Sequence, residues 1–129
     1  MDFQSQYFSA LNDANKEVTL SGYYFNSDPG KLVIHVDGLL NTDNADEFRN
    51  AIVNALKEVS DVKTAAFDLS KLSYISSTGL GSFTVIQSEA KKAGITFSLF
   101  GITEKVQSIF DNLGFTNFFV IKSSAEEAF

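Results

Sequence analysis

Apolar and polar residues alternate along two neighbouring segments in the first third of the chain. The segments Val18–Phe25 and Lys31–Asp37 are rich in β-branched and aromatic residues, and the run from Asn26 to Gly30 separates them. The separator contains Asp28-Pro29-Gly30, in which proline fixes φ and glycine tolerates a positive φ. This pattern predicts a β-hairpin. Alternation places three apolar side chains of its second strand on one face: Leu32, Ile34 and Val36.

Farther along the chain, apolar residues recur at spacings of three and four, which is typical of helices with one buried face. The spacing predicts helices over residues 45–59, 79–93 and 106–113, and Gly94 and Gly114 are placed to end the last two. A capping-box spacing over residues 123–127 predicts a terminal helical turn. Short apolar runs predict three further strands: Ala65–Leu69, Ile95–Phe100 and Phe118–Ile121.

The predicted order is therefore β-β-α-β-α-β-α-β, followed by a short terminal helix. Such alternation after an opening hairpin predicts an α/β domain with a mostly parallel sheet of four to five strands and right-handed crossovers. Functional groups in such folds gather in loops beyond the carboxyl ends of the strands. Here those loops are residues 37–43, 69–78 and 100–104.

Residues 1–17 are treated as an N-terminal extension and residues 18–129 as the domain. Phe3, Tyr7 and Leu11 recur at helical spacing, which favours a short docked helix. A frayed arm is an equally open interpretation.

Composition excludes several classes of function. The chain of 129 residues has no cysteine, which rules out disulfides, thiolate metal sites and a catalytic thiol, and its net charge of −6 disfavours nucleic-acid binding. His35 is the single histidine, so we expect no metal centre. The sequence carries no cofactor fingerprint and no credible nucleophile–base pair, so we expect no enzyme. No signal peptide and no apolar run of roughly 18–20 residues appears, so we expect a cytoplasmic protein without a membrane contact.

The segment from Asp68 to Gly81 is the most informative part of the chain. A buried strand is followed by a loop and by a hydroxyl cluster, Ser76-Ser77-Thr78, with Gly79 and Gly81 in the first turn of the next helix. A helix start exposes unpaired N–H groups and favours negative charge, so it suits a phosphate. Plain helix capping by these hydroxyls is an alternative that the residues leave open.

This segment resembles the STAS domain, which sulphate transporters and anti-sigma-factor antagonists share. The resemblance covers about residues 18–122. It rests on five pieces of sequence: Val36-Asp37-Gly38, Ala45-x-x-Phe48, Asp68-Leu69-Ser70, Ile75-Ser76-Ser77-Thr78-Gly79-Leu80-Gly81 and Gly94. It implies that Ser77 is the phosphoacceptor of an anti-sigma factor with serine kinase activity, with a phosphatase as a possible further partner. The unphosphorylated form would bind the anti-sigma factor and release the sigma factor.

Two positions depart from the family pattern. The family usually has aspartate where this chain has Ser76, and often has aspartate where it has Asn41. Both replacements remove a carboxylate from around the expected phosphoacceptor, and Thr78 is a second candidate acceptor. The consequence for phosphorylation of Ser77 is left open by the sequence.

We expect the partner to contact loops 37–43 and 70–78 together with the second helix. Leu80 suits either this docking surface or the core. The expected partner-binding residues are Asn41, Ser76, Ser77, Thr78, Gly79 and Leu80.

Two alternatives to the antagonist function stay open. The first is a nucleotide- or anion-binding sensor, and the second is a STAS scaffold protein that is not phosphorylated. Four phenylalanines near the C-terminus are read as packing residues, with an aromatic patch for weak homo-oligomerisation as the lesser alternative: Phe115, Phe118, Phe119 and Phe129.

Overall fold

A computed structural model describes residues 1–27 and 29–128, so Asp28 of the predicted turn and Phe129 lie outside the described residues. Within them the chain forms seven strands, five helices and one 3-10 turn. The strands are β1 (Asp2–Phe3), β2 (Val18–Phe25), β3 (Gly30–Leu40), β4 (Val62–Asp68), β5 (Leu72–Ile75), β6 (Thr96–Phe100) and β7 (Ile121–Lys122). The helices are α1 (Gln6–Ala14), α2 (Ala45–Lys57), α3 (Ser77–Lys92), α4 (Glu104–Asn112) and α5 (Ala125–Ala128), and the 3-10 turn is Thr116–Phe118.

One mixed sheet runs through the molecule in the order β1-β2-β3-β4-β6-β7, and β5 pairs with β3 away from this path. β1, β2 and β3 are antiparallel, whereas β4, β5, β6 and β7 join in parallel. The α/β class, the hairpin and the three main helices are thus confirmed. The sheet has seven strands rather than four to five, because β1 and β5 were not predicted.

β3 is the longest strand and has two parallel neighbours on the same side. Its first part pairs with β4, from Gly30 opposite Val62 to His35 opposite Asp68, and its last part pairs with β5, from Gly38 to Leu40. β3 therefore ends three residues later than predicted. It carries the chain directly to the loop that lies beside the start of α3.

The main core lies between one face of the sheet and helices α2 and α3. Fully buried apolar side chains of β3 and β4 meet those of the two helices there. Aromatic rings form its centre at centroid separations of 5.1 to 6.3 Å, most of them edge to face, which is a favourable aromatic arrangement. These rings are Phe48, Phe67, Phe83, Phe97 and Phe119.

The other face of the sheet has a smaller apolar cluster of Val33, Ala66, Phe100 and Ala128. The predicted terminal helical turn is α5, which contributes Ala128 to this cluster. Phe118–Ile121 is not one strand, as predicted; a 3-10 turn ends at Phe118, and β7 begins at Ile121. Phe118 is 61% exposed, so its side chain is not a packing residue of the core.

The N-terminal segment is docked on the domain rather than frayed. Phe8 and Leu11 of α1 are buried in the main core. Both groups of the Asn12 side-chain amide bond the backbone of Leu20, at 2.8 Å each. The Ser5 hydroxyl donates to Glu58 at the end of α2, at 2.8 Å. Apolar burial and side-chain hydrogen bonds therefore hold α1 against β2 and α2.

Candidate functional site

The hydroxyl cluster lies where β5 leads into α3. Ser76 is the N-cap residue, with extended backbone (φ −85°, ψ 170°), and its Oγ accepts the N–H of Gly79 at 3.1 Å. The N–H of Ser76 donates to the carbonyl of Leu40 at 2.9 Å, which ties the helix start to the end of β3. Ser76 therefore performs the capping that the sequence allowed for any member of the cluster.

Ser77 is the first residue of α3, and its side chain is exposed. Its hydroxyl has no hydrogen-bond partner among residues 1–27 and 29–128. Thr78 is exposed as well, and its Oγ1 lies 3.5 Å from Oγ1 of Thr42 in the loop after β3. The two adjacent serines thus differ in their hydrogen bonding. The Ser76 hydroxyl accepts a backbone N–H, whereas the Ser77 hydroxyl is available to an incoming group.

Gly79 and Leu80 are buried beneath this exposed first turn. A Cβ on Gly79 would stand 2.8 Å from Cγ1 of Ile75 and 3.1 Å from Cβ of Leu40, so glycine is required for the helix to pack against the two strand ends. Leu80 has no exposed surface and belongs to the main core. Of the two alternatives left open for Leu80, the structure shows core packing, and in this conformation its side chain offers no surface to a partner.

Gly81 differs from Gly79 although both lie in the first turns of the same helix. A Cβ on Gly81 would meet no atom within 4 Å. Its side of the helix therefore has open space, which is compatible with the close approach of another molecule.

The loop from Leu40 to Asn44 forms the other wall of the site. Asn41 and Asn44 each accept the backbone N–H of the other on a side-chain oxygen, at 2.9 and 3.0 Å. Asn44 is fully buried, and its amide also donates to the carbonyl of Leu39 at 3.0 Å. This reciprocal pair fixes the turn that leads from β3 into α2, with Thr42 at its exposed tip.

The side-chain amide of Asn41 also donates to Oε2 of Glu17 at 2.9 Å. Glu17 lies just before β2, in the segment that we treated as an extension. A carboxylate therefore lies beside Asn41, the residue that stands where the family often has aspartate. Periodicity gave no indication of this contact, because it joins two loops that are 24 residues apart.

A hydrogen-bonded pair on the opposite side of the sheet reaches the loop between β4 and β5. Nδ1 of His35 lies 2.8 Å from Oδ2 of Asp68, and Oδ1 of Asp68 accepts the N–H of Ser70 at 3.0 Å. Partial burial of the Asp68 carboxyl opposes ionisation, but the hydrogen bonds from Ser70 and then from His35 outweigh it and lower the pKa of Asp68. Since Ser70 begins the loop that leads to β5, His35 is linked through Asp68 to that loop.

The described ranges 1–27 and 29–128 contain no group of three or more histidine, aspartate or glutamate side chains arranged to hold a metal ion. None of their helices has the length and apolar character needed to cross a bilayer. A cavity of about 360 Å³ lies between α1 and the β1–β2 edge, and its lining includes His35 but no member of the hydroxyl cluster.

We define the candidate docking surface, called the docking surface below, as Asn41, Thr42, Ser76, Ser77 and Thr78. Of the residues expected at the site, the fold brings these together with Gly79 beneath them, and it sends Leu80 inward. Thr42 belongs to the predicted loop 37–43 but was not named as a partner-binding residue, and Glu17 was not predicted for the site at all. The sequence contains no periodic signal for either of them.

Comparison with solved structures shows that the chain has a known fold. The anti-sigma factor antagonist SpoIIAA in its unphosphorylated form is 20% identical, with a TM-score of 0.63 over 83% of this chain and 91% of that chain. SpoIIAA from Bacillus in its phosphorylated form has a TM-score of 0.56 at 19% identity, covering 83% of this chain and 95% of that chain. An anti-sigma factor antagonist from Mycobacterium paratuberculosis has a TM-score of 0.67 at 17% identity, covering 85% and 91%.

The same fold forms part of a transporter. The murine anion transporter Slc26a9 matches with a TM-score of 0.71 at 15% identity, over 93% of this chain but 23% of that chain. The STAS domain family itself matches residues 25–128, which is most of the chain. The chain therefore belongs to the STAS domain family.

Proposed function

We propose that this chain is an anti-sigma factor antagonist, a protein-binding module whose docking surface is gated by phosphorylation of Ser77. In its unphosphorylated form it binds an anti-sigma factor with serine kinase activity and thereby releases the sigma factor. It acts as the substrate of that kinase and of a phosphatase, and it is not itself an enzyme. The proposal agrees with the solved antagonists of the same fold, one of which exists in unphosphorylated and phosphorylated forms.

The observation that carries the proposal is the difference between Ser76 and Ser77. The Ser76 hydroxyl caps α3, so modifying it would break a hydrogen bond of the fold. The Ser77 hydroxyl is exposed and bonds no described residue, so a phosphoryl group added there displaces no internal contact. Thr78, the alternative acceptor, is exposed as well, but its Oγ1 lies 3.5 Å from Oγ1 of Thr42, whereas the Ser77 hydroxyl bonds no described residue.

A phosphate on Ser77 suits the start of α3 electrostatically. The first N–H groups of a helix lack intrahelical acceptors and carry the positive end of the helix dipole, so they stabilise an anion. The phosphoryl group adds about −1.5 to −2 charges at one point. A partner that packs closely over neutral hydroxyls then meets a bulky, charged group, and binding weakens without refolding of the domain.

The chain carries no aspartate at positions 41 and 76, yet a carboxylate is still present near the site. Glu17 reaches Asn41 from the preceding segment. The acidic character of this wall is thus partly retained by a residue from elsewhere in the chain. Asn41 and Ser76 in place of aspartate are therefore compatible with a phosphorylation switch at Ser77.

The test is phosphorylation by the anti-sigma kinases of the organism from which the chain comes. The purified chain is incubated with ATP and each kinase, and the phosphate is located by mass spectrometry in the wild type, Ser77→Ala and Thr78→Ala. We expect phosphate on Ser77, its loss in Ser77→Ala but not in Thr78→Ala, and weaker kinase binding by the phosphorylated chain. Absence of both phosphate and binding with every kinase would contradict the proposal.

A further inference from the structure

We propose that the carboxylate of Glu17 is a recognition group for the protein partner, read by an arginine or lysine side chain of that partner. This inference rests on the proposed function, because it concerns the same docking surface. It adds the chemistry of the contact and brings in a residue that lies outside the segment matched by the family.

The backbone of Glu17 is held firmly against the end of β3. Its carbonyl accepts the N–H of Leu39 at 2.9 Å. Gly38 lies so close that a Cβ on it would stand 2.1 Å from the Glu17 carbonyl oxygen, and Gly38 has a φ of +104°. The position of Glu17 therefore depends on the strand that leads into the docking surface, and not on a loose arm.

A hydrogen bond orients the side chain of Glu17, and no cationic side chain of the described residues pairs with it. Oε2 accepts a hydrogen bond from the side-chain amide of Asn41. The side-chain oxygen of Asn41 in turn accepts the backbone N–H groups of Asp43 and Asn44. Asn41 is uncharged, and no ion pair within the described ranges involves Glu17, including with its neighbour Lys16. The carboxylate is exposed, and its Oε1 has no hydrogen-bond or ion-pair partner among the described residues.

A short chain of contacts joins this carboxylate to the proposed phosphoacceptor. Glu17 bonds Asn41, the next residue Thr42 lies against Thr78, and Leu40 accepts the N–H of Ser76. A partner that covers Ser77 and Thr42 therefore reaches Glu17. A carboxylate that is covered on docking loses hydration unless an opposite charge pairs with it, which makes a cationic side chain the fitting occupant.

The test compares removal of charge at Glu17 with removal of charge nearby. Glu17→Gln keeps an oxygen that accepts from Asn41, so the loop retains its position while the charge is lost. Asp13→Asn is the matched control, because Asp13 is exposed on α1 and its side chain forms no hydrogen bond or ion pair with a described residue. Glu17→Lys and Asp13→Lys reverse the charge at the two positions.

The measurements are association rate and affinity for the anti-sigma kinase that binds the wild type, at low and at high salt. We expect Glu17→Gln to weaken binding about two- to fivefold at low salt, with a smaller effect at high salt. Glu17→Lys should weaken it by about tenfold or more, because like charges then face each other. The Asp13 variants should change binding much less. Circular dichroism should give all four variants the wild-type fold.

Three outcomes would overturn the inference. Equal binding by Glu17→Gln, Glu17→Lys and the wild type would mean that the partner does not recognise Glu17, and the proposed function would still stand. Equal losses at Glu17 and Asp13 indicate net charge rather than a local contact. Failure of the wild type to bind any kinase, with no phosphate on Ser77, overturns the proposed function itself and this inference with it.

Discussion

Nδ1 of His35 lies 2.8 Å from Oδ2 of Asp68, so a side chain in the middle of β3 holds the carboxylate that ends β4. The two residues are direct neighbours in the parallel register of these strands. The other oxygen of Asp68 holds the N–H of Ser70. One carboxylate thus couples the sheet to the loop that precedes β5 and the docking surface.

The first prediction concerns Asp68 and pH. Because the folded state lowers the pKa of Asp68, its contribution to stability is present above the unfolded value of about 3.9 and is lost as pH falls through the folded value. Asp68→Asn should lower the free energy of unfolding by about 1–2 kcal/mol at pH 7, with a smaller loss near pH 3. Urea unfolding at both pH values measures this difference. An identical loss at the two values would refute the charge-based explanation.

The second prediction compares two glycines of α3. Gly79→Ala should destabilise the protein by about 1–3 kcal/mol, because the new methyl group would crowd Ile75 and Leu40. Gly81→Ala meets open space and should stabilise α3 by about 0.5–1 kcal/mol, since alanine favours the helix. Thermal unfolding of the two variants tests the contrast. Similar effects at both positions would contradict the packing described for Gly79.

The third prediction separates the two adjacent serines. Ser76→Ala removes the N-cap bond to Gly79 and should lower the free energy of unfolding by about 1 kcal/mol. Ser77→Ala removes no internal hydrogen bond and should change it by less than about 0.5 kcal/mol. Denaturant unfolding of both variants gives the comparison. A larger loss for Ser77→Ala would mean that its hydroxyl has a structural role.

The fourth prediction is a stabilising substitution in β6. Ser98 is 2% exposed, and its hydroxyl has no hydrogen-bond partner within residues 1–27 and 29–128. Burying an unpaired hydroxyl is unfavourable, so Ser98→Ala should raise the free energy of unfolding by about 1 kcal/mol. The neighbouring Leu99→Ala is the control, and it should destabilise by about 2–5 kcal/mol because Leu99 is fully buried. Destabilisation by Ser98→Ala would indicate that its hydroxyl is satisfied.

Elements with a strong period were predictable from the sequence. β2 begins and ends as predicted, and α2 and α3 follow their apolar spacing to within two residues at each end. β5 was missed because its buried residues, Leu72 and Ile75, are the first and last of four, a pattern that matches no strand alternation. Such a strand exists because β3 offers it hydrogen bonds, which is a tertiary effect.

The site was partly predictable for a similar reason. The hydroxyl cluster is contiguous in the chain, so its place at a helix start follows from local sequence. The contacts of Glu17 with Asn41 and of His35 with Asp68 join residues 24 and 33 positions apart. They depend on the register of neighbouring strands and on the path of the loop after β3, neither of which is visible in residue periodicity.

In the part of the chain that the structure describes, β5 pairs with β3 and with no other strand, so its hydrogen exchange can report docking. A short strand with one neighbour opens more readily than the central strands, so its amide hydrogens exchange with solvent through local rather than global unfolding. A protein that covers the adjoining docking surface would suppress this opening. Hydrogen exchange at Leu72–Ile75 thus gives a label-free record of partner occupancy next to Ser77.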